Sequence, residues 1–429
     1  VTTATVSRSL PARGWQAASR VLRPTDPVAR ALTVSTMGSA LSSGLFYTVS
    51  ALFFTRVIGL SVATVGWGLT VAGAAGVAGA LGGGYLADRV GAHRVLMAST
   101  AGQGLALLAY AAAGSTLTFV AVASAAVGLR AVQGSARAAL IAACFTGPDR
   151  VTVRAGLSVV TNVFIGLGTC LGAVALLADT AAAYTACLLA AGALVVLSCA
   201  PLVPVLRLLS GAVGPAADGA QDRPPSGRSP LRDPTYLGTA ALNAVLAMHL
   251  GLQTVGVPLW IVTRTDAPPV TVSLLLVLNT VLVALLQVRF ARGTHELRTA
   301  ARGVAAGGVL LALACALYAA AAVDGVALAV LLLVLATLAH TAGEMWAEAG
   351  SWGLAFELAD PATAGAYQGI NQCSVAVGAM LAPLVVTATA VEHGTVGWVI
   401  LAGTFALAGG MTLLLVGRSR AARHHAPTA

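Results

Sequence analysis

Long apolar runs separated by short polar ones dominate this sequence, and that pattern alone fixes the class of fold. Residues 31–54, 62–86, 93–113, 116–143, 155–178 and 181–205 form a first set of runs. Residues 236–260, 270–290, 301–321, 325–356, 366–390 and 395–417 form a second. A membrane-crossing helix needs about 20 predominantly apolar residues, and every run meets that length. The chain is 58% hydrophobic and 9% charged, whereas soluble domains carry about 25% charged residues. The short alternating segments of a transmembrane barrel are absent. The expected fold class is an all-α integral membrane protein, with twelve transmembrane helices in two six-helix pseudo-symmetric bundles.

The net charge of +9 comes from 24 basic residues, and every one is Arg. Together with 48 Gly and abundant Ala, this usage points to a GC-rich bacterial genome. The arginines do not cluster with interleaved aromatics, so nucleic acid is not an expected partner. They mark sidedness instead. Arg130 lies inside a span, and Arg56 and Arg264 fall in loops on one side. Every other Arg falls on the side that carries both chain ends. The positive-inside rule makes that side cytoplasmic, in a multi-pass protein of the cytoplasmic (inner) membrane. The expected organisation is a basic arm (1–30), a first bundle (31–206), a cytoplasmic linker (207–234), a second bundle (235–417) and a tail (418–429). The linker holds Pro215, Pro224, Pro225 and Pro230 among Ser, Gly and Arg, a composition that cannot bury a core. The arm is too long and too basic for a signal-peptide n-region. The six cysteines have no CxxC spacing and lie in or beside apolar runs, as buried thiols do.

The halves are related in register. A shift of 209 residues places Gly134 on Gly343, Gly156 on Gly365 and Asn162 on Asn371. Two parallel halves related by an axis along the membrane normal place a site near the midplane between them.

The loop after the second run reads Gly84-Tyr85-Leu86-Ala87-Asp88-Arg89-Val90-Gly91-Ala92-His93-Arg94-Val95-Leu96. It resembles the GxLADRxGRRxxL signature of the major facilitator superfamily, with Ala92 and His93 departing from the two basic positions. Arg130-Ala131-Val132-Gln133-Gly134 resembles the RxxQG element of the fourth span. Gly343-Glu344, Glu357-Leu358-Ala359-Asp360-Pro361 and Ala366-Tyr367-Gln368-Gly369 resemble the pattern of efflux-type members around spans ten and eleven. An Arg is missing before Tyr367, and the fifth span has Gly166, Gly168 and Gly172 but no Gly-Pro dipeptide. The resemblance implies alternating access, a cavity lined by spans one, four, seven and ten, and a gating loop built from Gly84, Asp88, Arg89, Gly91 and Arg94.

Ionisable residues at bilayer depth are costly and mark function. Arg130 lies about 20 Å from the outer end of its span at 1.5 Å per residue. Gln133, Gly134 and Arg137 follow on the same face. A guanidinium cannot discharge by losing a proton, so Arg130 must face water, a carboxylate or an anion, or else tether backbone carbonyls. His340, Glu344 and Glu348 share one face of the tenth span, with Glu344 about 28 Å from the outer end and about 18 Å from the inner. A carboxyl at that depth can load and release a proton. The site candidates are therefore Arg130, Glu344, His340, Gln133, Glu348, Asn162 and Asn371, with Asn243, His249 and Gln253 as softer ones. Trp260, Trp346, Trp352 and Trp398 either line a pocket or mark the membrane interface, and near the span ends the interface is the better reading.

What the resemblance implies in sum is a secondary active transporter, a monomer needing no cofactor or metal ion. Its partners would be a small-molecule substrate, protons and the lipid bilayer. Proton-coupled efflux of a drug or metabolite is the expected activity, and few cavity charges favour an apolar or weakly cationic compound. A nutrient importer of the same fold is the nearest alternative, and a non-transporting receptor or assembly factor on this scaffold the next. An enzyme is not expected, since no HExxH, nucleotide loop or Ser/Cys–His constellation is present.

Overall fold

The computed structural model describes residues 25–212 and 227–425. The first 24 residues of the basic arm, the centre of the linker (213–226) and the end of the tail (426–429) lie outside the described residues. Twelve helical spans follow one another: α1 (Pro27–Val57), α2 (Ala63–Val90), α3 (Ala92–Ala112), α4 (Thr116–Cys144), α5 (Pro148–Ala178), α6 (Ala181–Leu209), α7 (Pro234–Arg264), α8 (Val270–Ala291), α9 (Leu297–Ala320), α10 (Val326–Glu357), α11 (Pro361–Val391) and α12 (Thr395–Arg418). Twelve crossings bring the two ends of the described chain to one side, the terminal face.

Local chemistry sets the helix ends. Asp26 caps α1, accepting from the Ala29 N–H at 2.8 Å, and Pro27 occupies the first turn. Ser115 and Thr118 form a reciprocal capping box on α4, and Asp233 caps α7 ahead of Pro234. Such caps satisfy N–H groups that a helix cannot pair internally. One end departs from the sequence expectation. Span five begins at Pro148 rather than 155, because Gly147 turns the chain at φ +50 and Pro148 starts the helix. That draws Arg150 and Arg154 into the helix. At the opposite face Asp179 takes a left-handed φ of 45. The Tyr184 hydroxyl and then the Arg56 guanidinium hold its carboxyl below the usual carboxylate range. Arg56–Asp179, at 2.7 Å, is the one ion pair among the described residues.

The contact pattern carries the two-fold relation. In the first half α1 packs on α5 and α6, α2 on α4, and α3 on α4 and α6. Adding six to each number gives the second half: α7 on α11 and α12, α8 on α10, and α9 on α10 and α12. Between halves α2 packs on α11 and α5 on α8, pairs that exchange under the same operation.

Small residues let the backbones meet, as membrane helix packing requires. At the α1–α5 crossing, a Cβ on Gly44 would sit 2.1 Å from the Ile165 carbonyl oxygen, and one on Gly168 2.1 Å from that of Leu41. Both obstacles are backbone, so neither can swing aside. Gly168→Val is expected to lose most folded protein, as seen by gel filtration and thermal melting in detergent. Gly166→Val, at a position with open space around it, should fold normally. Equal yields of the two would remove this crossing from the account.

Hydrophobic clusters show where the halves join. At the terminal face one cluster mixes them: Leu140, Ile141, Phe145 and Val151 pack with Ala291, Trp352 and Phe356. Elsewhere each half has its own core. Phe53, Phe54, Tyr110 and Phe119 fill the first, and Trp260, Tyr318, Trp398 and Phe405 fill the second. Trp260 and Trp398 are thus core residues, 5.6 Å apart edge to face. This corrects the interface expectation, since the Trp260 indole N–H donates to the Tyr318 carbonyl at 2.8 Å and so needs no water.

Candidate functional site

Between the separate cores the halves part around a cavity of about 490 Å³. One wall is α4 and α5, with Arg130, Gly134 and Arg137 from the first and Arg154, Ser158, Thr161 and Asn162 from the second. The other is α7, α10 and α11, with Asn243, His249, Glu344, Glu348, Trp352, Asn371 and Gln372. The expected contribution of α1 is indirect. Its Tyr47 hydroxyl bonds the Arg130 guanidinium, which also lies 5.3 Å over the Tyr47 ring. Span five enters the wall because residues 154, 158 and 162 recur every four positions on one helix face.

Of the sequence-predicted site residues, Arg130, Glu344, Glu348, Asn162 and Asn371 meet at this cavity. Gln133 does not, and its amide donates to the buried Thr100 hydroxyl at 2.7 Å on α3. His340 does not either. It is 1% exposed and lines a small pocket behind the wall with Gln253, Asn279, Tyr318 and Thr337. Its ring meets His249 at 5.5 Å. Positions three or four apart on a helix share a face, but a face a quarter-turn wide looks both into a cavity and onto a neighbour.

The cavity acids are held by neutral donors. The Asn279 amide donates to Glu344 at 2.9 Å and to the Thr341 hydroxyl at 3.0 Å. The Gln287 amide donates to Glu348 at 3.4 Å. No ion pair joins Arg130 to Glu344 among the described residues. His249, His340 and Glu344 bring ligand atoms within 4.8 Å of one another. Zinc bonds of 2.0–2.1 Å place ligands about 3.3 Å apart, so holding a cation would require this group to close in.

The sequence reading put Arg137 on the Arg130 face but not among the site candidates, and it missed Arg154, Asn279, Gln287 and Gln372. It counted Arg137 and Arg154 with the terminal-face arginines, whereas both lie in spans and line the cavity. The cavity is therefore more charged than expected. The available signal for Arg137 was its place three and four residues beyond Gly134 and Gln133, on the Arg130 face. Asn279 and Gln287 gave none.

At the terminal face Asp88 closes the seam between halves. Its carboxylate accepts from the Gly365 and Ala366 backbone N–H groups, each at 2.7 Å. These are orphan donors at the start of α11, where the helix dipole also favours an anion. Gly91 makes the turn at φ +100, while Arg89 and Arg94 are exposed. The equivalent turn after α8 is at Gly293, φ +90, and three residues before it stands Phe290, not an acid. The clasp is therefore one-sided, which fits the fuller packing of α2 on α11 than of α5 on α8.

The Major Facilitator Superfamily model matches residues 32–383. Among solved structures, the human organic anion transporter MFSD10 (TETRAN) superposes with a TM-score of 0.64 at 15% identity, covering 91% of this chain and 100% of that one. The proton:xylose symporter XylE, bound to 6-bromo-6-deoxy-D-glucose, superposes with a TM-score of 0.65 at 14% identity, covering 93% and 96%. No curated sequence matches the chain. At these identities the structural likeness speaks for the fold.

Proposed function

The chain belongs to the major facilitator superfamily, and from that premise we propose that it exports a small organic molecule across the cytoplasmic membrane by proton-coupled alternating access. It works as a monomer with both termini cytoplasmic. The observation that carries this reading is the cavity itself. It lies between two pseudo-symmetric halves, holds two carboxyl groups, and is shut at the terminal face by the Asp88 clasp and a mixed apolar cluster. Rocking of one half on the other then exposes the same groups to each side in turn. Flux of a compound panel into inverted vesicles, with and without an inside-acid gradient, tests it. Gradient-dependent uptake is the expected result. Uptake only in right-side-out cells would mark an importer, and binding without flux in either would mark a receptor.

The topology is tested separately. Arg89, Arg94, Arg289 and Arg292 crowd the terminal face, and Arg56 and Arg264 are the arginines at the opposite one among the described residues. In a cysteine-free background, Pro268→Cys, at an exposed position beside the buried Ala267, should be labelled by an impermeant maleimide from outside. Arg292→Cys, exposed between α8 and α9, should be labelled only from the cytoplasmic side. Labelling of both from one side rejects the arrangement.

A further inference from the structure

We propose that the cavity takes an organic monoanion, its acidic head gripped by Arg137 and Arg154 and its apolar body lying toward Leu157, Leu246 and Val375. The inference rests on the cavity being the transport site and names the class of substrate. It begins with the distribution of charge. All three cavity guanidiniums are on the α4–α5 wall, and both cavity carboxyls are on the other. A guanidinium stays charged, and a desolvated one without a counter-ion costs several kcal/mol.

The three arginines are not equally committed. Arg130 is taken by the Tyr47 hydroxyl and ring. Arg154 donates once, to the Gln372 amide oxygen at 3.2 Å, and lies 5.6 Å over the Trp352 ring. That contact fixes its plane and leaves further N–H groups of the fork free. Among the described residues Arg137 makes no hydrogen bond and no ion pair, and Arg130 and Arg154 line the same wall of the cavity with it. Like charges gathered on one wall are stabilised by an anion set against them.

The acids do not serve as that anion. Asn279 holds Glu344 and Gln287 holds Glu348 on the far wall, and neither acid makes an ion pair with an arginine among the described residues. Three guanidiniums face two carboxyls, so the cavity is net positive whether or not the carboxyls are ionised. A single acidic head set against Arg137 and Arg154 offsets part of that charge, whereas a second anionic group would be brought up against Glu344 and Glu348. A planar fork suits a carboxylate bidentately, and Leu157, Leu246, Ala247, Leu250 and Val375 supply an apolar surround.

The test separates charge from shape. Binding of octanoate and 2-naphthoate to the purified full-length protein is compared with that of their amides and of the matching primary amines, by thermal shift and calorimetry. The carboxylates should bind at least tenfold more tightly than either isostere. Arg137→Gln and Arg154→Gln should each erase that preference, because a charge-assisted hydrogen bond is worth about 1.5–3 kcal/mol, roughly 10–150-fold. Arg154→Lys, which keeps the charge but loses the fork, should recover part of it. Should either Gln variant fail to fold, the wild-type ranking and the other variant decide. Equal binding of the amides or amines, unchanged carboxylate preference in the Gln variants, or no carboxylate binding in the millimolar range overturns the proposal. Failure of the transport reading looks different. Carboxylates that bind through both arginines but never cross proteoliposome membranes would leave the site standing and remove transport. Flux of a neutral or cationic compound with no carboxylate binding would do the reverse.

Discussion

Glu344→Gln should reduce proton-driven accumulation to none while leaving substrate binding and downhill exchange partly intact. Coupling needs a group at cavity depth that is protonated in one conformation and ionised in the other. The other acids cannot serve. Asp26, Asp88, Asp149, Asp233, Glu296, Glu357 and Asp360 lie toward the terminal face, and Asp179, Asp266, Asp324 and Glu392 toward the opposite one. Among the described acids only Glu344 and Glu348 line the cavity. Glu344 is 7% exposed and faces Asn279, His249 and His340. An amide there keeps the oxygen that accepts from Asn279, so packing is preserved while the ionised state is lost. Each unit by which conformational change shifts such a group is worth about 1.4 kcal/mol, so losing the group removes the link between gradient and substrate. Accumulation ratio against proton gradient, together with exchange measured without one, reads the two effects apart. A variant that still concentrates substrate when driven by protons passes the role to Glu348 or His340.

The spans were legible because apolar runs of membrane length admit few other readings. Their ends were less so: Gly147 and Pro148 begin α5 two turns before its apolar run, and that shift hid Arg154. Arg130 and Glu344 stood out as charges in apolar surroundings and do meet at one cavity. Their partners did not stand out. Tyr47 is 83 positions from Arg130, and Asn279 is 65 from Glu344. A neutral polar residue in a span looks the same whether it serves a carboxylate or a backbone carbonyl. Gln133 shows the converse. Its spacing from Arg130 was right for a shared face, yet the neighbouring α3 offered it Thr100. Periodicity sets which residues point together, and tertiary packing decides what they point at. The same holds for Asp88, whose place in a recurring loop was readable while its grip on a helix start 277 residues away was not.

That grip leads to the second large effect: loosening it should open the terminal face. Asp88→Asn replaces two charge-assisted hydrogen bonds with one neutral acceptor and an amide N–H aimed at a backbone N–H. The loss of about 1.5–3 kcal/mol moves a two-state balance by about 10–150-fold, away from the state closed at this face. Gly365→Ala should act more strongly. Its Cβ would lie 2.5 Å from an Asp88 carboxylate oxygen and 2.6 Å from the Gly84 carbonyl oxygen, while Gly84 is itself pressed against Gly365 and Gly369. Neither variant touches the cores of the halves, so both should fold and melt close to wild type. The readout is Ser158→Cys on the cavity wall in a cysteine-free background, probed with an impermeant maleimide in inverted vesicles. The parent should be protected from the terminal face. Asp88→Asn should label faster, and Gly365→Ala faster still, with flux falling in the same order. Labelling and flux equal to the parent in both variants would mean that the apolar cluster alone keeps this face shut, and Asp88 would lose its gating role.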